Sequence, residues 1–170
     1  MKLDIRGLEV SAPEEEKALA FERAVNLASV TLWGEHPYPH PVQVTGKVVN
    51  RGNFYELAYR VDCLRAFRCA RCTKTVEREV SQSFSHVALE SDEDPFEVDA
   101  FIPVSGGIID LERMVTDDLL LSLEGSDLCE PDCPGICPVC GGTPGVCGCS
   151  TSPPDPRFDV IRKLLENEPH

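Results

Sequence analysis

Eight of the nine cysteines fall into four close pairs: Cys69 and Cys72 in "CARC", Cys129 and Cys133 in "CEPDC", Cys137 and Cys140 in "CPVCGG", and Cys147 and Cys149 in "CGC". Thiols can be nucleophiles, redox centres, disulfides or metal ligands, and spacing separates these uses. Two cysteines with two residues between them reach one ion from a single tight turn, and the intervening backbone N–H groups can donate to the sulfurs and offset thiolate charge. Zinc takes about four ligands at the corners of a tetrahedron, with Zn–S near 2.3 Å. Gly141 and Gly142 after the "CPVC" pair supply the backbone freedom such a turn needs. Eight thiolates would complete two four-cysteine sites. Cys137 and Cys140 pair most naturally with Cys147 and Cys149 across the short "GGTPGV" loop, leaving Cys129 and Cys133 to meet Cys69 and Cys72. The second set would clip the cysteine-rich tail onto a turn between two core strands. A rival arrangement puts one zinc among the six tail cysteines and leaves "CARC" without metal.

The other thiol chemistries fit less well. Disulfides are rare in the cytosol, and the start "MKLDIRGLEV" has neither the apolar stretch nor the cleavage site of a secretory signal. The expected location is therefore the cytoplasm. The C-x2-C-x2-C-x3-C-P run of a bacterial ferredoxin is absent. A thioredoxin-type reading of "CARC" requires a helix start, whereas "FRCARCTKTV" reads as a turn between strands. Four-thiolate zinc sites are closed and structural, with no position for substrate or water. Such ions would fold a tail too rich in glycine and proline to bury a core. Cys63 fits no metal turn and is expected to be a buried apolar thiol. His36, His40 and His86 are read as ordinary surface or strand residues, and "SDEDPFE" as an acidic surface loop. No G-x-S-x-G, P-loop or dinucleotide fingerprint is present. Nothing in these motifs argues for an enzyme or a small-molecule substrate. The enzyme alternatives are a thiol redox protein, which needs a free C-x2-C pair, or an RNA-processing nuclease, which needs carboxylates gathered around Mg2+.

The elements that must position these pairs are mostly strands. "VQVTGKVV" and "FYELAYRV" alternate apolar and polar residues around the turn "NRGN", which predicts a hairpin. "TVEREVSQSF" puts Val76, Val80 and Phe84 on one face, and "FEVDAFIPV" alternates from Phe96 to Val104. "LDIRGLEV" reads as a first strand. "EEEKALAFERAVNLASV" is ambiguous: Leu19, Phe21, Val25 and Leu27 fit period two, while Phe21, Val25 and Ala28 with a Ser11/Glu14 capping box fit a helix. "WGEHPYPHP" is a proline-rich loop. Asp110 can cap a helix with Leu111, Met114, Val115 and Leu119 on one stripe, ending before Gly125. After the linker "STSPPDP", Phe158, Ile161, Leu164 and Leu165 give a last helix an apolar stripe. The expected fold is α+β. It has an antiparallel β-rich core, barrel-like or sandwich-like, over 1–124, a zinc-binding tail over 125–150, and a linker with a C-terminal helix over 151–170.

The 170 residues carry a formal net charge of −13, which repels phosphate and disfavours broad electrostatic binding of nucleic acid. No apolar run approaches the roughly 20 residues of a membrane helix. Charge is uneven along the chain. Arg60, Arg65, Arg68, Arg71, Lys74 and Arg78 cluster around "CARC", whereas from Glu79 to Asp132 there are fifteen carboxylates and one basic residue, Arg113. Two readings of the basic edge stand side by side: Arg65, Arg68, Arg71, Lys74 and Arg78 contact RNA phosphates, or they neutralise thiolates around zinc.

The run "FRCARCTKTVE", then "IIDLERMVTDDLLLSLEGSDLCEPDCPGICPVCGGTPGVCGC", then "DPRFDVIRKLL" resembles the YceD-like family of large ribosomal RNA subunit accumulation proteins, over roughly residues 42–167. Cys69, Arg71 and Cys72 match the family's C-x-R-C, and Asp110 with Leu111 its helix start. Cys129, Cys133, Gly135, Cys137, Pro138, Cys140, Gly141, Cys147 and Cys149 match its tail. The stretch "GTPGV" is shorter than the family's and lacks its asparagine. The resemblance implies a non-enzymatic role in making or maintaining large-subunit ribosomal RNA, with that RNA or a basic large-subunit ribosomal protein as partner. In the RNA mode the basic edge makes the contacts. In the protein mode the acidic face shields a basic ribosomal protein before delivery.

Overall fold

A computed structural model describes residues 1–11, 17–91, 101–123, 125–149 and 156–158. The alternating stretches form the strands that carry the architecture. β1 is Lys2–Asp4, β2 Ala18–Val25, β3 Val42–Asn50, β4 Tyr55–Arg68, β5 Thr75–Glu90, β6 Ile102–Val104 and β7 Ile108–Asp110. Among the described residues one α-helix, α1, spans Leu111–Leu121, and Pro156–Phe158 form one 3-10 turn. Among the described residues no helix is long and apolar enough to cross a membrane.

The main sheet has the order β2-β3-β4-β5-β6, and β1 pairs with β7 in a separate two-stranded ribbon. The expected β3–β4 hairpin is present, with Val44 opposite Val61 and Val48 opposite Leu57. The expected barrel is not: β2 and β6 are the two edges of an open sheet. Closure requires long, tilted first and last strands that pair with each other, and β6 offers only three residues. Nor is the sheet wholly antiparallel, because β6 runs parallel to β5 with Ala88 opposite Ile102.

The ambiguous stretch resolves as strand. β2 buries Phe21 and Val25 against β3, while Arg23, between them in the alternation, is exposed. Ser11 does not cap a helix; its hydroxyl accepts from the Lys17 N–H (2.8 Å) and donates to the Lys17 carbonyl (2.9 Å). The rest of the capping-box segment, most of the Phe96–Val104 alternation, the "SDEDPFE" acids and the terminal stripe Ile161, Leu164 and Leu165 lie outside the described residues.

Helix α1 starts as its sequence predicts. The Asp110 carboxylate accepts from the Arg113 N–H at 3.3 Å, and Leu111, Met114, Val115 and Leu119 are all buried. Each such side chain contributes roughly 1.5–3 kcal/mol on leaving water. They join Val42, Val44, Val48, Leu57 and Val61 in one core. Tyr38, from the proline-rich loop, is fully buried there and its hydroxyl donates to the Leu119 carbonyl at 3.3 Å. A polar link ties the helix to the sheet: the Tyr59 hydroxyl donates to the Asp118 carboxylate, which also lies 2.7 Å from His86 Nε2. Gly46 sits between Phe21 and Tyr59 on neighbouring strands, where a Cβ would lie 2.5 Å from Tyr59 Cβ.

β4 and β5 are the longest strands, 14 and 16 residues. They stay paired from Tyr55–Ala88 to Arg68–Thr75. The turn at their far end carries "CARC".

Candidate metal centre

The β4–β5 turn is built by two backbone hydrogen bonds. The Thr73 N–H donates to the Cys69 carbonyl (2.9 Å), and the Cys69 N–H donates to the Lys74 carbonyl (2.9 Å). The "CPVCGG" turn repeats the pattern. There the Gly141 N–H donates to the Cys137 carbonyl (2.8 Å), and the Cys137 N–H donates to the Gly142 carbonyl (2.7 Å). In both turns the residue after the second cysteine is left-handed, with φ 74° at Gly141 and φ 60° at Thr73. Glycine adopts that conformation freely, but a β-branched residue is strained in it.

The sulfurs gather in two sets of four: Cys69, Cys72, Cys129 and Cys133, and Cys137, Cys140, Cys147 and Cys149. Within each set all four lie within 4.8 Å of one another. This is the grouping that pair spacing suggests, and "CARC" is not left apart as the rival arrangement has it. Cys69 Sγ is 3.7 Å from Cys133 Sγ, and Cys72 Sγ is 3.6 Å from Cys129 Sγ. These separations are far beyond the roughly 2.05 Å of a disulfide. They are close to the edge of about 3.8 Å that a tetrahedron of sulfurs has around Zn2+ at 2.3 Å. The donor set and its dimensions fit that ion.

The electrostatics point the same way. The Cys129 and Cys72 backbone N–H groups bring the Cys69 thiol down to about 6. The Cys140 and Val139 N–H groups bring Cys137 down to about 7. The neighbouring sulfurs then resist a second thiolate: Cys133 pushes Cys129 up to about 12, and Cys140 and Cys147 raise Cys149. A divalent cation among the four reverses that repulsion. Cys63 belongs to neither set. It is half-buried against the core, and burial raises its thiol.

The two sets differ in their surroundings. In the first, Cys69 and Cys133 are buried; in the second, Cys140 and Cys149 are exposed. The first set also has an arginine frame. Arg65 pairs with Asp127, and Arg78 donates to the Leu128 carbonyl at 2.9 Å. Arg71 donates to the Cys133 carbonyl at 3.0 Å. The Arg65 and Arg78 guanidinium groups lie 5.2 and 5.1 Å from the centroid of the Phe67 ring. The Ala70 N–H donates to the Asp127 carbonyl at 2.8 Å. Of the two remaining basic residues, Arg68 pairs with Glu35 at 2.8 Å and Lys74 is exposed on the turn. Three of the five cations proposed for phosphate thus hold residues 127–133 against the hairpin. Sequence reasoning missed Asp127, although a carboxylate two residues before Cys129 and opposite a basic edge is a usable signal. It also missed His86 as a partner of Asp118.

The family described as "Large ribosomal RNA subunit accumulation protein YceD" matches residues 59–165, which include both sulfur sets. Uncharacterized proteins of Mycobacterium bovis and Mycobacterium tuberculosis are 37% identical over 76 residues. That match covers 43% of this chain and 37% of each relative, well under two thirds of their length. No solved structure matches. With C-x-R-C, the capped helix and the cysteine tail all inside the matched region, the chain belongs to the YceD family.

Proposed function

We propose that this protein is a non-enzymatic ribosome-biogenesis factor that supports the accumulation of large-subunit ribosomal RNA, and that two structural Zn2+ ions hold its fold. The observation that carries the first part is the family match over residues 59–165. The second part is supported by the two sulfur sets, with S···S separations of 3.6 and 3.7 Å in the first. Cys69, Cys72, Cys129 and Cys133 would hold one ion and clip the tail to the hairpin. Cys137, Cys140, Cys147 and Cys149 would hold the other and fold the tail itself. Sites with four thiolates do no acid–base or Lewis-acid chemistry on a substrate, so they serve as scaffolding. The protein is expected to act in the cytoplasm.

The test is removal of the gene from its source organism, followed by measurement of the ratio of large- to small-subunit ribosomal RNA. A fall in that ratio, restored by the intact gene, is expected. An unchanged ratio overturns the reading. The redox alternative requires free thiols, so zinc that protects them from alkylation excludes it. RNA cleavage that persists after metal removal would instead establish a nuclease.

A further inference from the structure

The two sulfur sets give small molecules in solvent very different access. In the first, Cys69 is 1% and Cys133 3% exposed, and Arg71 and Arg78 close on the Cys133 and Leu128 carbonyls. The Cys72 N–H also donates to Cys69 Sγ at 3.5 Å, which draws charge from that sulfur and weakens it as a nucleophile. In the second set Cys140 and Cys149 are exposed, Cys147 is half-buried and Cys137 is buried.

The backbone beside the two exposed thiols is open as well. Gly141 follows Cys140 and Gly148 precedes Cys149, with φ 74° and 64°. Apart from its chain neighbours, a Cβ at either glycine would meet nothing within 4 Å among the described residues. Val139 and Val146, in the same stretch, are 63% and 83% exposed. A segment that buries so little apolar surface depends on its ligands and their ion for its fold. Oxidation of cysteine follows thiolate character and exposure, and the second set combines them where the first does not.

We propose that Cys140 and Cys149 are a peroxide-oxidisable pair, whose closure to a disulfide expels the ion of the second set and releases residues 134–149 while the first set keeps its ion. The inference rests on the reading that each set holds Zn2+. One thiolate of the pair attacks a peroxide oxygen; the O–O bond breaks, a sulfenic acid forms and hydroxide leaves. The other thiolate attacks the sulfenic sulfur; the S–S bond forms and a second hydroxide leaves. Two thiolates thus lose two electrons, and one hydrogen peroxide is reduced to two hydroxide ions. The sulfurs of the set lie within 4.8 Å of one another, and the glycines beside the pair let it close to the roughly 2.05 Å of a disulfide. Only Cys137 and Cys147 then remain as thiolates, too few for an ion that takes about four ligands.

The test treats full-length, zinc-loaded protein with excess hydrogen peroxide beside a chromophoric zinc chelator. The expected result is release of about one zinc per chain, at least about tenfold faster than the other. Tandem mass spectrometry should place the disulfide at Cys140–Cys149, and a broad-specificity protease should cut within 134–149 while 125–133 stays protected. A phosphine reductant with added zinc should reverse all three changes. Cys140→His combined with Cys149→His keeps four zinc donors in the second set but removes both exposed thiols, and should slow the fast release at least about tenfold. If that variant holds only one ion, the wild-type disulfide map decides alone. Release from both sets at one rate, earlier loss from the first set, a disulfide between other cysteines, or equally fast release from the double variant each overturns the inference. Two bound zinc ions that both resist peroxide would defeat it and leave the metal reading standing, whereas untreated protein without zinc would defeat both.

Discussion

Cys69→Ser separates two independent metal sites from one shared cluster. Serine keeps the side chain's size but loses the thiolate, so the hairpin turn is preserved while one corner of the first sulfur set is gone. Cys69 Sγ stands 3.7 Å from Cys133 Sγ, near the roughly 3.8 Å edge of a zinc–sulfur tetrahedron. A structural Zn2+ binds zinc-finger peptides with an apparent 10–16 kcal/mol at neutral pH, so loss of a corner should turn a tightly held ion into one that is lost on dialysis. The tail would then depend on the Arg65–Asp127 pair and on the bonds from Arg71 and Arg78 to the Cys133 and Leu128 carbonyls. Charge-assisted contacts of that kind contribute about 1.5–3 kcal/mol each when buried and less when exposed, too little to replace the ion. Elemental analysis should therefore show about two zinc per chain in the wild type and about one in the variant. Mild proteolysis should cut within 125–133 while the sheet core survives. Cys129→Ser should behave identically, whereas Cys137→Ser should empty the other site and leave 125–133 protected. Loss of both ions from Cys69→Ser, or retention of both, would refute the division into two sets.

Four further outcomes follow from the geometry. Thr73→Gly should stabilise the protein by up to about 1 kcal/mol, because the left-handed strain of a β-branched residue is larger than glycine's entropic cost; urea unfolding of the metal-loaded protein measures it. Gly46→Ala should destabilise by about 1–3 kcal/mol, since the new methyl meets Tyr59 Cβ at 2.5 Å and the Ala58 carbonyl at 2.6 Å; the melting temperature should fall by several degrees. Burial pushes Tyr38 up to about 12 in the folded state, above the ordinary value of 10. Its contribution is therefore complete below pH 10 and is lost as pH rises towards 12, and Tyr38→Phe should flatten the fall of the urea midpoint in that window. Protons compete with an ion for thiolates, so acid titration should release zinc, with free metal read by a chromophoric chelator.

The parts legible in sequence were those decided over a few residues. The grouping of sulfurs follows from C-x2-C and C-x-C spacing across a short loop. The Asp110 cap and the stripe Leu111, Met114, Val115 and Leu119 came out residue for residue. The β3–β4 hairpin followed from alternation around a glycine turn. What was not legible depended on partners far along the chain. Arg23 breaks the alternation of β2, so only pairing with β3 fixes that stretch as a strand. Tyr38 looks like part of a solvent loop until its hydroxyl meets Leu119, 81 residues later. The partners of Arg65, Arg71 and Arg78 are not legible either, because Asp127 and the Leu128 and Cys133 carbonyls lie 50 to 62 residues from the arginines they engage. The open sheet was hidden for the same reason, since alternation says nothing about whether edge strands meet.

The two sulfur sets also differ in how much chain must exist before each can assemble. Cys137 to Cys149 lie within one short segment, so that set can close as soon as the segment leaves the ribosome. Cys69 and Cys133 are 64 residues apart, and their set cannot form until the β4–β5 hairpin is paired and the tail has been synthesised behind it. The second set thus needs only local chain to close, whereas the first needs a folded sheet, much as a latch engages only when the door is already shut.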